Sequence, residues 1–302
     1  MQEYLLKVSS EHSGMRIDQF LAKFCQTEKL GVSRTKIQKA ICKGSVKING
    51  VSQRRPNYKV REAEEVSFVL EDIVENRQLK AEDIPLEVVY EDSDIAVINK
   101  PSGMVVHPGA GNTEHTLVNA LLSRFKNLSD VNPQRPGIIH RLDKETSGLL
   151  VIAKNNNAHF ALSKQFSEHS IKRKYIAVVR GRMEFDEDVI EVPIGRHPRK
   201  RKNMSVSFAE NAKYARTRYT TLKRTDNFSL LELEPFTGRT HQLRVHLAFI
   251  GHPILGDKKY GKGDTLQQLF LHAQYLGFIH PVTGKFMDFS SHLPSYFQEF
   301  LI

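Results

Sequence analysis

One stretch constrains the fold of this chain more than any other: GIIHRLDKETSGLLVIAK, residues 137–154. It enters on Ile138 and Ile139 and leaves on Leu149, Leu150, Val151 and Ile152. An apolar run rich in β-branched residues suits a buried strand. Between the two apolar ends stand His140, Arg141, Asp143, Lys144 and Glu145. A chain that leaves a core and re-enters it within a few residues must turn tightly at the core's edge. By residue type alone DKETSG is ordinary turn chemistry, and a solvated turn is the simpler reading. The other reading is a functional site, and the choice depends on the rest of the chain.

That chain is rich in short strands. LEVVYED (86–92) and DIAVINK (94–100) flank a turn at Asp92, Ser93 and Asp94. KRKYIAVVRG (172–181), YARTRYTTLKRT (214–225) and FSLLELEPF (228–236) have strand composition. TLVNALLSRF (116–125) reads as an amphipathic helix. NAHFALSKQFSEHS (157–170) reads as another, with Phe160, Leu162 and Phe166 inward. THQLRVHLAFIG (240–251) reads as a third, with Leu243, Leu247 and Ile250 on one side. Strands and helices do not alternate strictly. The expected class is therefore α+β, a mixed and mainly antiparallel sheet with flanking helices rather than a doubly wound parallel one.

The N-terminal part has its own pattern. Met15, Ile17, Phe20, Leu21 and Phe24 share a helical face, with Gly31 as a C-cap signal. Ser33 is placed to cap a second helix that turns Ile37, Ala40 and Ile41 inward. SVKING then alternates and ends on Asn49-Gly50, a hairpin signal, and residues 64–70 read as a returning strand. Outside its core positions the second helix carries Arg34, Lys36, Lys39 and Lys43, and the hairpin adds Lys47, Arg54 and Arg55. No acidic residue lies between Lys29 and Lys59. A solvated face is one account, but so one-sided a charge favours nucleic acid, where Lys and Arg supply the phosphate contacts that dominate affinity.

Charge also marks a boundary. Residues 1–70 carry a net +6, residues 71–100 a net −6 and residues 101–302 a net +10. The expected division is a small domain at 14–72, a linker at 73–84 and a larger domain at 85–302. RHPRKRK (196–202) is a cationic loop that includes Arg199 and Arg201, expected to grip a nucleic acid backbone. Two cysteines, Cys25 and Cys42, support neither a disulfide framework nor a four-ligand zinc site, and buried apolar packing is expected of both. No apolar run of membrane-spanning length and no secretory signal is read, so a reduced, cytoplasmic compartment is expected.

Several chemistries lack their residues. HRLD is not the kinase loop, and no glycine-rich phosphate loop precedes a strand. No G-x-S-x-G and no H-E-x-x-H is present, and His241 and His246 fall on different helix faces. A nucleoside hydrolase of the retaining glycosidase type needs two paired carboxylates. Glu145 is near Asp143 in sequence, but no pair stands out.

The fragment 136–154 resembles the signature of the pseudouridine synthase family that modifies large-subunit ribosomal RNA. NKPSGMVVHPGAGN (99–112), KRKYIAVVRG (172–181) and PFTGRTHQLRVHLAFIGHPILGDKKYG (235–261) are similar to its other motifs, in family order. HPGAGN and VPIGRHPRKRKNM are most similar to the D-type members, which act on 23S ribosomal RNA. The N-terminal segment resembles the S4 RNA-binding domain, on RIDQFLAKF and SRTKIQKAICKGSVKING. The resemblance implies isomerisation of a uridine in RNA, with no cofactor and no metal, and a flipped target base. It implies Asp143 as the essential group, Tyr175 stacked on the uracil, and Arg244 as the counter-charge, with Arg239 as the other candidate. A carboxylate in a water-poor pocket stays ionised most readily beside such a cation. Arg141 is implied to fill the space that the base leaves; His140 serves that loop or the fold. A large-subunit RNA or assembling 50S particle is the implied partner, and a monomer is expected. The competing reading is a silent RNA-binding assembly factor, although the three implied site residues are all present.

Overall fold

The computed structural model describes residues 3–28, 30, 32, 34–69, 79–109, 111–200, 203–261 and 266–300. The chain divides into two compact units, Met1–Gln78 and Leu79–Ile302. The predicted caps Gly31 and Ser33 and much of the predicted linker lie outside the described residues.

In the first unit, β1 (Glu3–Lys7) precedes α1 (Ile17–Thr27), α2 (Arg34–Lys43), β2 (Val46–Ile48), β3 (Val51–Gln53) and β4 (Glu65–Val69). The sheet runs β1-β4-β2-β3, antiparallel throughout. Ile17, Leu21 and Cys25 follow the i, i+4 spacing that puts them on one face of α1. With Ile37 and Ile41 of α2 they bury against Val46, Val66 and Phe68. Asn49 and Gly50 both have positive φ, +47° and +79°, as the tight hairpin turn between β2 and β3 requires. Cys25 is buried as expected, but Cys42 is exposed, because it sits on the solvent side of α2 next to buried Ile41.

One carboxylate inside this unit changes the meaning of the basic face. Asp18 is fully buried. It accepts hydrogen bonds from Arg16 at 3.0 Å, from Arg34 at 2.8 Å and from Gln38 at 2.6 Å. Burial alone would raise its pKa; the donors from Arg16, Gln38 and Arg34 outweigh that and bring it to about 2. A depressed carboxylate contributes stability that is present above its unfolded pKa and is lost as pH falls through the folded value. Asp18→Asn is therefore expected to destabilise this unit by about 2 kcal/mol near neutral pH. The difference should shrink below about pH 4. Urea unfolding of the two proteins across pH measures both effects.

Among the described residues, the second unit is organised by nine strands: β5 (Glu87–Glu91), β6 (Ile95–Lys100), β7 (Ser147–Ala153), β8 (Lys172–Arg180), β9 (Glu187–Glu191), β12 (Arg216–Arg224), β13 (Phe228–Pro235), β14 (Leu271–Ile279) and β15 (Phe286–Ser290). Their order is β5-β6-β7-β14-β8-β13-β12-β9, with β15 paired to β14. Among the described residues β7 and β14 form its one parallel pair. β10 (Ile194–Arg196) and β11 (Met204–Val206) form a separate hairpin. This is the mixed, mainly antiparallel α+β architecture expected. Strands β1, β9, β10, β11, β14 and β15 were not read from sequence. β15 alternates exposed and half-buried residues, so it shows no buried apolar run.

Every residue of β7 is buried. Ile138 forms an isolated bridge with Ile152, so the entry and exit of the charged block lie side by side. β7 and β14 approach closely at Gly148, where a Cβ would lie 2.3 Å from the Ala273 carbonyl oxygen and φ is +113°. Only glycine fits that space and conformation.

Helices α3 (Leu117–Arg124), α4 (Asn156–Ser167) and α5 (Gln242–Phe249) pack on this sheet. α4 corrects the reading of its inward face. Ala158, His159 and Leu162 are buried, Phe166 is half-buried, and Phe160 is 62% exposed. Ala158 and Leu162 are one turn apart, which leaves Phe160 on the opposite side. No helix among the described residues is long and apolar enough to cross a membrane.

Candidate active site

The charged block is a clamped turn at the head of β7. Lys100, at the end of β6, is fully buried. Its Nζ donates to the carbonyls of Pro101 at 2.8 Å, Met104 at 3.0 Å and Lys144 at 3.2 Å. Those three acceptors match the three hydrogens of an ammonium group. Burial pushes its pKa down to about 7, against the pull of Asp143 and Glu145. Gly103 N–H also donates to the Lys144 carbonyl, at 2.8 Å, and the Ser102 hydroxyl donates to the Glu145 carbonyl, at 2.7 Å. The loop after β6 thus holds the backbone immediately after Asp143.

Above this turn lies a cleft of about 690 Å³. Asp143, Tyr175 and Arg244, far apart in sequence, all line it. Arg244 is 2% exposed and donates through Nε and Nη2 to Asp257 at 2.7 and 2.8 Å. Its Nη1 lies 3.4 Å from Asp143 and 3.4 Å from Glu145. The distances decide which pair dominates: Asp257 holds the guanidinium in a bidentate fork, and Asp143 and Glu145 share its remaining edge. Burial opposes the Arg244 charge, but the hydrogen bonds and negative charge of Asp257 raise its pKa. Asp257 is fully buried, and burial would raise it. Arg244 and the N–H groups of Lys259 and Tyr260 hold it below the ordinary range.

His241 stands beside this pair. Its Nε2 is 3.9 Å from Asp143 and its Nδ1 is 2.7 Å from the Tyr260 hydroxyl. Its φ of +58° is left-handed, which turns the chain into α5. Burial lowers its pKa, Asp143 works the other way, and Arg244 adds to the lowering. Tyr175 comes from β8, two residues after Arg173 and on the same face of the strand. Burial raises its pKa, Arg173 opposes this and Asp143 reinforces it, so the side chain is a neutral phenol.

The other sequence candidates fall into different places. Arg141 is exposed and lines the cleft, as does half-buried Arg239, whose Nε donates to the Tyr214 carbonyl at 2.8 Å. Arg239 has no ion pair with Asp143 among the described residues, so of the two arginines Arg244 supplies that contact. His140 lines the cleft, but its Nε2 accepts from Val151 N–H at 3.0 Å and its ring stacks on Phe166 at 4.4 Å. Burial, aided by Arg173, lowers its pKa to about 3, so it is neutral and braces the turn. Arg199 is exposed on the cationic loop and is not among the residues lining the cleft. Arg201 lies outside the described residues. Lys39 and Lys43 are exposed on α2 and Lys36 is half-buried, whereas Arg34 is committed to Asp18.

Sequence reasoning missed Lys100, Asp257, His241 and Tyr260 as parts of one site. Asp257 and Tyr260 lay inside the quoted 235–261 motif, but nothing in their spacing ties them to Arg244. The acidic and histidine group Asp92, Asp94 and His280 is satisfied internally by Tyr90, Asn155 and backbone N–H groups.

The family model described as RNA pseudouridylate synthase matches residues 94–249, and the S4 domain model matches residues 15–66. The chain belongs to the RNA pseudouridine synthase family. Such synthases are isomerases, and Asp143, Tyr175 and Arg244 all lie within the matched residues. An uncharacterized RNA pseudouridine synthase of Bacillus subtilis is 42% identical, covering 100% of this chain and 98% of that protein. The ribosomal large subunit pseudouridine synthase D of Zymomonas mobilis is 40% identical over 96% of this chain and 94% of its own length. Among solved structures, human RNA pseudouridylate synthase domain containing 1 aligns with a TM-score of 0.60. It is 29% identical, covering 72% of this chain and 87% of that one. The S4 match makes the N-terminal unit an RNA-binding domain by family.

Proposed function

We propose that this synthase isomerises specific uridines of 23S ribosomal RNA in the cytoplasm, with Asp143 as its essential group. One observation carries the role of Asp143: it is the single carboxylate among the described residues lining the cleft, and a buried arginine faces it. The relatives named large subunit synthase D support the choice of RNA. In the reaction the N1–C1′ bond of uridine breaks and a C5–C1′ bond forms. The proton on C5 leaves and N1 gains one, so the product is an isomer and no redox partner enters. Asp143 acts as nucleophile, or assists departure of the base by a glycal-like route. Arg244 aims the carboxylate and faces it with a positive charge at 3.4 Å. Tyr175 offers a flat face for the uracil and a neutral hydroxyl at its edge. A base in folded RNA reaches this cleft only by leaving its stack, and Arg141 at the surface is placed to fill the gap. Glu145 does not line the cleft, which disfavours a two-carboxylate hydrolase.

The test is a pseudouridine map of ribosomal RNA from cells lacking the protein. At least one large-subunit site is expected to disappear and to return with the wild-type gene but not with Asp143→Asn. An unchanged map at every large-subunit position sinks this assignment.

A further inference from the structure

Among the described residues, four arginines line the cleft: Arg141, Arg173, Arg239 and Arg244. Arg141 is exposed, Arg239 is bound to a backbone carbonyl at the rim, and Arg244 is neutralised by Asp257. Arg173 is different. Its side chain enters beside Tyr175, and among the described residues no carboxylate pairs with it. Its Nη2 donates to the Pro235 carbonyl at 3.2 Å, and its Nε is buried without an acceptor. No protein acceptor meets Nη1 among the described residues. A Cβ on Gly238 would stand 3.4 Å from Nη1, so the glycine leaves that side of the guanidinium open.

The guanidinium is nonetheless held in place. It lies over the Phe166 ring, 5.7 Å from the centroid, and Phe166 in turn stacks on His140. His140 is fixed by Val151 N–H. A cation so oriented, partly desolvated and left without an anion is unfavourable in the free protein. It becomes favourable when a ligand supplies the anion. Every nucleotide of RNA brings one, a phosphate, and a planar guanidinium suits it well. The cleft of about 690 Å³ is also larger than a uracil ring needs.

We infer that Arg173 binds a backbone phosphate next to the flipped uridine, with Phe166 and His140 as its rigid backing. This rests on the proposed RNA isomerisation. The neighbouring phosphate would place the sugar of the target nucleotide relative to Asp143, because phosphate and C1′ belong to one short covalent frame. Nothing about the base is read by this contact, so its effect is the same for any sequence.

The experiment uses the full chain and a synthetic ribosomal RNA fragment that the wild type modifies. One set of fragments carries a neutral methylphosphonate at the phosphate 5′ or 3′ of the target uridine. Arg173→Gln is expected to weaken RNA binding about tenfold or more at low salt. It should flatten the log Kd against log salt plot by about 0.7 to 0.9, one phosphate contact. Arg173→Lys should keep most of that slope. One of the two methylphosphonates should weaken wild-type binding about tenfold and add little to the loss in Arg173→Gln. An unchanged salt slope, or losses that add at both phosphates, overturns the inference and assigns Arg173 to the base or to the fold. If Arg173→Gln does not fold, the wild type still decides: equal binding with and without each methylphosphonate overturns it. A wild type inactive on all ribosomal RNA defeats the proposed function instead. A wild type active beside an unaltered Arg173→Gln defeats this inference alone.

Discussion

Asp143→Asn is expected to lower the single-turnover rate of pseudouridine formation by about 10⁴-fold or more, which is about 5.5 kcal/mol of transition-state stabilisation. Asparagine keeps the size of the side chain and removes its charge. It neither attacks C1′ nor stabilises positive charge developing there. The fold should hardly respond, and the reason lies in two distances. Arg244 stands 2.7 Å from Asp257 and 3.4 Å from Asp143, so its main partner survives the substitution. RNA affinity should stay within a few-fold of wild type, because the phosphate contacts that dominate it are untouched. Quantification of pseudouridine in RNA digests, together with filter binding and thermal unfolding, checks all three. Retention of more than about 1% of the wild-type rate would remove Asp143 from the essential role.

Asp257→Asn should damage both stability and rate. Arg244 and Asp257 are each almost fully buried, and removing one charge leaves the other in a poor environment. The expected loss of stability is about 3 kcal/mol, at the low end for a broken buried pair because asparagine retains one acceptor oxygen. The nearest carboxylates left to Arg244 are Asp143 and Glu145. A guanidinium drawn toward Asp143 ties up the oxygen that the reaction needs, so kcat should fall about 10²-fold or more. The pH dependence follows from the sign of the shift. The Asp257 carboxyl is held below its ordinary range, so its contribution is present above the unfolded pKa and fades as pH falls through the folded one. The gap between wild type and variant should therefore be full at neutral pH and narrow in acid. Denaturant unfolding at several pH values measures it; equal stability of the two proteins at pH 7 contradicts the pairing.

Much of the fold was legible because it rests on local rules. The i, i+4 spacing of Ile17, Leu21 and Cys25, the Asn49-Gly50 turn and the unbroken apolar run of β7 each predict an element from neighbours in sequence. Legibility failed where a residue's partner is distant. Arg34 reads as one more cation on a basic helix, and only Asp18 on another helix shows that it is structural. His140 reads equally well as a part of the site or of the fold, and only Val151 and Phe166 show that it braces a turn.

By itself, then, the sequence determined the helix pair and hairpin near the N-terminus, the strand-rich second half, and the turn that carries Asp143, since each follows from periodicity and turn chemistry along the chain. The tertiary structure alone decided how the charges are shared. It gave Arg244 to Asp257 first and to Asp143 and Glu145 second, put Lys100 under the turn that carries Asp143, and left Arg173 without an anion among the described residues. Electrostatic partnership depends on distances of a few ångströms between segments 13 to 101 residues apart, and no local pattern encodes them.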